Sequence, residues 1–305
     1  MKTNELKNDF LEVQEEKNIC DSLFEYVKFL FNKDIKAEQR FNIHSIYEYI
    51  KTTFKSVRDD HSNLMLALQS AALVRENNYI YAHSVRTTII AMIIGKYLKL
   101  PTHKLIELGV AALLHDIGMI SIPEEIYLSS RTLTDEERKI IRNHPVYGYK
   151  ILDTYNFSPA VKMAALEHHE REDGSGYPQK LPKEKISLYG RIIAVACSFE
   201  AISAKRIYKE SVDPHSGIIK ILKNKVQYYD EAVQALVNAL SIYPIGLYVL
   251  LSDGKRGLVV DVNMYDPRYP ILQLLDERAF NGKSIVRYTF SDGLHIVRPL
   301  QKSEM

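Results

Sequence analysis

The chain has 305 residues, long enough for one large domain with an appendage or for two modest domains. Hydrophobic residues make up 46% and charged residues 26%, which excludes a disordered chain, and a net charge of +2 excludes a general pull toward a nucleic acid polymer or an anionic membrane. Two cysteines, Cys20 and Cys197, exclude a disulfide framework or a cysteine-rich zinc site.

The opening, MKTNELKNDFLEVQEEK, is charged and lacks the apolar centre of a secretory signal. Apolar runs such as TTIIAMIIG and GVAALL fall short of the ~18–20 residues that span a bilayer, so a cytoplasmic chain with no membrane partner is expected. Residues 1–75 hold no Gly or Pro and read as an N-terminal helical region with no assigned role, packed onto the main domain or else serving as a regulatory input or dimerisation surface. Residues 76–240 carry repeated helical signals. Val85, Ile89, Ile90 and Ile93 recur at spacings that place them on one helix face. Thr134 with Glu137 forms a capping-box pattern, and Ser158-Pro159 reads as an N-cap followed by Pro in the first helical position. A turn-rich loop, EREDGSGYPQKLP, follows the next helix. From 241 to 305 the pattern becomes β: two apolar runs flank Ser252-Asp253-Gly254 as a hairpin, and SIVRYTF and GLHIVRPL read as further short strands. The expected architecture is mainly α, a helical bundle with a small β-rich C-terminal appendage.

Seven residues of the middle region can carry chemistry: His83, His115, Asp116, His144, His168, His169 and Cys197. Most fall at helix ends. His115-Asp116 closes LGVAALLHD, His144 precedes Pro145 where the helical region is disfavoured, and His168-His169 ends a helix just before the glycine-rich loop. Neighbours within a helix point about 100° apart, so adjacent ligands address one site only where the helix ends or where two metals share it. Imidazoles with a shared carboxylate suit a pair of borderline divalent ions, iron or manganese, and such a pair serves phosphodiester hydrolysis. His44, His61, His103, His215 and His295 have no such company and read as ordinary histidines. By composition alone DGSGYP is a surface turn; directly behind His168-His169 it reads as the rim of a site.

The segments LLHDIG, HPVYGYKIL, HHEREDGSGYP and RIIAVACSFEAISAKRIYK, spanning His83 to Lys209, resemble the HD-GYP family of the HD phosphohydrolase superfamily. The tail YPIGLYVLLSDGKRGLVVDVN resembles that family's C-terminal extension. The resemblance implies an HD-type bundle around a di-iron or related centre that hydrolyses cyclic di-GMP to the linear dinucleotide or GMP. It implies metal ligation by His83, His115, Asp116, His144, His168 and His169, with Asp116 bridging two metals and His115-Asp116 central to catalysis. Tyr177 would lie along the substrate, and Arg206 and Lys209 would meet its phosphates, where a guanidinium fork matches phosphate oxygens.

Three positions depart from the family pattern. Met119 stands where the family has a lysine that reaches the scissile phosphate, Cys197 where it has its last aspartate ligand, and Tyr79 where three-metal members have a glutamate. A thiolate can ligate iron or zinc, while the alternative for Cys197 is a small buried residue on an apolar face. The expectation is a phosphodiesterase with two metals, weakened by Met119 and Cys197. The alternatives are a receptor or scaffold for cyclic di-GMP with the GYP loop as a protein-partner surface, or a hydrolase of another nucleotide.

Overall fold

The computed structural model describes residues 19–59, 79–129, 131–203, 214–240 and, beyond these, 243, 246–261, 263, 266, 268–279, 281–282, 284–289, 293–300 and 304. Helix α1 (Ile19–Phe31), the short α2 (Ala37–Arg40) and α3 (Ile43–Asp59) come first. Then follow α4 (Tyr79–Tyr97), α5 (Thr102–Leu113), α6 (Glu124–Tyr127), α7 (Asp135–Ile141), α8 (His144–Thr154) and α9 (Pro159–Glu167). Helices α10 (Leu188–Ser203), α11 (Pro214–Lys223) and α12 (Asp230–Leu240) complete the bundle.

Helix α4 is the axis of this bundle and packs against α1, α5, α10 and α12. The spacing of Val85, Ile89, Ile90 and Ile93 suggests one apolar face, but α4 is enclosed around its circumference. Ile80, Ala91, Met92 and Ile94 are as buried as the expected four. A helix apolar on all sides belongs in the middle of a bundle. Its hydroxyls do not mark a solvent face: buried Thr88 Oγ1 donates back to the Ser84 carbonyl at 2.7 Å. Close packing sets the spacing to α5, since a Cβ at Gly95 would come within 2.7 Å of Leu108 Cδ2.

The N-terminal helices share this core. Leu23, Val27 and Leu30 of α1 and Ile46 and Ile50 of α3 belong to the same buried cluster as α4 and α12. Tyr26 and Tyr49 stack across α1 and α3 with ring centroids 4.1 Å apart. Two expected caps form locally. Thr134 and Glu137 make the reciprocal capping box at α7, and Ser158 Oγ accepts from Val161 N at α9 with Pro159 in the first turn.

The C-terminal segment forms a five-stranded antiparallel sheet in the order β4-β3-β2-β1-β5. The strands are β1 (Tyr248–Leu251), β2 (Arg256–Asp261), β3 (Ile271–Arg278), β4 (Ser284–Tyr288) and β5 (Ile296–Pro299). The hairpin at Ser252-Asp253-Gly254 joins β1 to β2, with Gly254 at φ +83° where a side chain would be strained. Alternate residues Val249, Leu251, Val259, Leu272 and Leu274 build a separate small core. The sheet's β3, paired between β4 and β2, is not among the strands expected from sequence.

Candidate metal centre

Three histidines are placed by the ends of three helices. His115 follows the last turn of α5, His144 opens α8 just after α7 stops at Ile141, and His168 is the C-cap of α9. The last carbonyls of a helix have no intrahelical partner. Here the rings use them: Nδ1 of His115 lies 2.7 Å from the Ala112 carbonyl, that of His144 2.7 Å from Ile141, and that of His168 2.9 Å from Ala165. A carbonyl can only accept, so each Nδ1 carries the proton and each Nε2 turns a lone pair inward.

Glycine brings two of these turns together. The 3-10 turn Ile117–Ser121 after Asp116 presses on the start of α8, where a Cβ on Gly118 would lie 1.9 Å from the His144 carbonyl oxygen and 2.5 Å from Gly148 N. Only glycine permits that approach, and it carries Asp116 to His144.

The Asp116 carboxylate lies between two groups of donors. Its Oδ1 is 3.1 Å from His144 Nε2 and 3.4 Å from His168 Nε2; its Oδ2 is 3.4 Å from His115 Nε2 and 3.5 Å from His83 Nε2. His169 joins the first group, its ring centroid 4.1 Å from that of His168. Cys197 joins the second, with Sγ 3.5 Å from His83 Nε2. The ligating atoms within each group, Asp116/His144/His168/His169 and His83/His115/Cys197, all lie within 4.8 Å of one another.

This arrangement fits a cation. His144 Nε2 and His168 Nε2 face each other at 3.2 Å although both rings hold their protons on the far nitrogen. Two bare lone pairs at that distance repel unless a positive charge lies between them. Ring protonation is disfavoured for His168 and His169, because burial and, for His169, the neighbouring His168 and His144 hold them below the ordinary histidine range. Burial opposes ionisation of Asp116, and only positive charge among His115, His144 and His168 holds it well below the usual carboxylate range. Burial likewise opposes the Cys197 thiolate, but His83 and His115 bring it down to about 6.

His83 is supported differently. It lies inside α4, where the backbone carbonyls are committed to the helix. Its Nδ1 meets Glu200 Oε2 from α10, and Glu200 Oε1 is 3.4 Å from Arg86 Nη1. Burial would lower the His83 pKa, but Glu200 and Cys197 outweigh it and raise it well above the ordinary value.

The loop after His169 closes over this floor. Buried Glu170 accepts from three of the loop's backbone amides, Gln179 N at 2.6 Å, Lys180 N at 3.1 Å and Leu181 N at 3.0 Å. Gly176 passes so near the preceding turn that a Cβ would lie 2.5 Å from the His169 carbonyl oxygen. Tyr177 therefore lands on His169, stacked at 4.6 Å and 21°, with the Arg142 guanidinium 5.4 Å from the tyrosine ring. Burial and the Asp116 carboxylate raise the phenol's pKa, so it keeps its proton.

Structure thus gathers His83, His115, Asp116, His144, His168, His169, Tyr177 and Cys197 at one place. Arg206 and Lys209 lie outside the described residues. Met119 is buried in the 3-10 turn and Tyr79 is half-buried at the start of α4. Sequence reasoning missed Glu200, Arg86 and Glu170. Glu200 left one trace, a carboxylate in the otherwise apolar run IIAVACSFEAI, three residues after Cys197 and so on the same face.

A family model described as an HD domain matches residues 67–233. Over 209 residues the chain is 35% identical to the cyclic di-GMP phosphodiesterase PdeB of Borreliella burgdorferi, covering 68% of this chain and 54% of that protein. It is 36% identical over 202 residues to the cyclic di-GMP phosphodiesterase PA4108 of Pseudomonas aeruginosa, covering 66% of this chain and 48% of that one. The chain thus spans about half the length of these relatives. Among solved structures, Bd1817, described as a HDG"Y"P protein from Bdellovibrio bacteriovorus, shares the fold at 16% identity and a TM-score of 0.57, over 73% of this chain and 72% of that one. With HHEREDGSGYP placed directly over the histidine and aspartate cluster, the chain belongs to the HD domain family, in its HD-GYP branch.

Proposed function

We propose that this chain is a metal-dependent phosphodiesterase that hydrolyses cyclic di-GMP to the linear dinucleotide or GMP. The observation that carries the reading is the Asp116 carboxylate, with one oxygen turned to each of two donor groups beneath the Tyr177 loop. The reading is supported by relatives named cyclic di-GMP phosphodiesterases. Residues 76–240 carry the reaction, while the N-terminal region 1–75 and the sheet region 241–305 flank it.

His144, His168 and His169 with Asp116 Oδ1 would hold one divalent ion, and His83 and His115 with Asp116 Oδ2 the other, the pair drawn from iron and manganese. When bound, such a pair neutralises phosphate oxygens and lowers the pKa of a water to supply hydroxide. The protein's part is to keep His168 and His169 neutral, as burial does here, so that their ring nitrogens are open to an ion. Tyr177 keeps its hydroxyl proton for donation to a phosphate oxygen, and Arg206 and Lys209 supply cationic contacts to the substrate. Met119 brings no charge, so the developing negative charge loses one cation and turnover is slower than it would be with lysine there.

The test is hydrolysis of cyclic di-GMP by anaerobically purified protein, with metal content measured on the same sample. The expected result is turnover with about two metals per chain, abolished in Asp116→Ala. Metal-loaded protein that binds cyclic di-GMP without cleaving it would overturn hydrolysis in favour of a receptor. Faster turnover of a different cyclic dinucleotide would overturn the substrate.

A further inference from the structure

The second donor group contains a sulfur, and its spacing is regular. His83 Nε2 is 3.4 Å from His115 Nε2, 3.5 Å from Cys197 Sγ and 3.5 Å from Asp116 Oδ2, and His115 Nε2 is 3.4 Å from the same oxygen. An ion bound tetrahedrally at ~2.0–2.3 Å holds its nitrogen, oxygen and sulfur donors roughly 3.3–3.6 Å apart. The four separations here match four of that tetrahedron's six edges. All four side chains are buried, and they come from three places in the chain: α4, the turn after α5, and α10.

We infer that Cys197 is a metal ligand, and that His83, His115, Cys197 and Asp116 Oδ2 form a thiolate-containing subsite that selects iron or zinc over manganese. The inference rests on the metal centre proposed above and makes its two halves unequal. The other half offers three imidazoles and a carboxylate oxygen, a harder set that accepts manganese. A thiolate favours softer ions, so the two positions take different metals from a mixture. Cys197 borders the apolar core that also holds Ile193 and Val195. It turns its sulfur to the imidazole nitrogen that also faces Asp116.

Cobalt(II) added anaerobically to metal-free full-length protein tests this, because a thiolate bound to cobalt gives a charge-transfer band in the near ultraviolet. The expected result is a band that saturates at one thiolate per chain. It is lost in Cys197→Ser, retained in Cys20→Ser, and absent in Cys197→Asp although that variant binds as much cobalt as wild type. Circular dichroism of each variant verifies the helical fold. In dialysis against equal zinc and manganese, Cys197→Asp should take up more manganese than wild type. Full cobalt loading without the band, or a band that survives Cys197→Ser, overturns the thiolate subsite and leaves the phosphodiesterase reading standing. Failure of cobalt to bind at all overturns both.

Discussion

His83 and the histidines at the helix ends turn Nε2 toward the same carboxylate on different supports. His115, His144 and His168 lean on carbonyls that a terminating helix leaves over, so the backbone itself sets the tautomer and the direction of Nε2. His83 lies inside α4, where carbonyls are committed to the helix, and borrows a side chain, Glu200, from another helix. The contrast shows that a ligand at a helix end is built by the local fold. A ligand inside a helix needs a tertiary partner, and it should respond to substitutions that leave the other three untouched.

The largest effect should come from attacking the backbone support. Gly118→Ala places a methyl group against the His144 carbonyl, and about 3 kcal/mol of stability should be lost in urea unfolding, together with bound metal. Unchanged stability and metal content would show that the turn yields easily and that its close approach is not what assembles Asp116 with His144. Next in size is Glu200→Ala, which should weaken metal binding on the His83 side about 10–100-fold while the His144 side keeps its affinity. Glu200→Gln should recover part of that loss, because an amide oxygen still accepts from Nδ1; equal weakening on both sides would erase the distinction drawn here. Glu170→Gln should loosen the loop by about 1–3 kcal/mol, seen as faster hydrogen exchange at the Gln179, Lys180 and Leu181 amides with metal content intact. The smallest change expected is Thr134→Ala, which removes the α7 capping box, about 1 kcal/mol, and should leave the metals alone even though α7 ends at His144's carbonyl partner.

The same contrast explains what could be read from the sequence. Features set by neighbours in the chain were legible. The capping box at Thr134, the Ser158-Pro159 start and the hairpin at Ser252-Asp253-Gly254 each need only a few consecutive residues, and each is present. The helix-end histidines were legible for the same reason: their placement follows from where helices stop. Glu200 was not, since its contact with His83 joins residues 117 apart and leaves no local pattern. That helix α4 is buried on its other faces too was not legible, because its Thr and Ser residues hide their hydroxyls within the bundle. Strand β3 escaped because ILQLLDER is leucine-rich and fits helix or strand, and only its pairing with β2 and β4 settles the matter. Cys197 was readable as a buried cysteine or as a ligand; its position beside His83 depends on how α10 packs against α4.

We propose above all that one carboxylate, Asp116, is shared between two metals. Anomalous diffraction from crystals grown with manganese and iron, recorded at the absorption edges of both, tests it most directly. Two peaks should flank the carboxylate, each roughly 2.0–2.2 Å from a different oxygen, one among His144, His168 and His169 and the other beside His83 and His115. A single peak, or a second metal that does not touch Asp116, would contradict it.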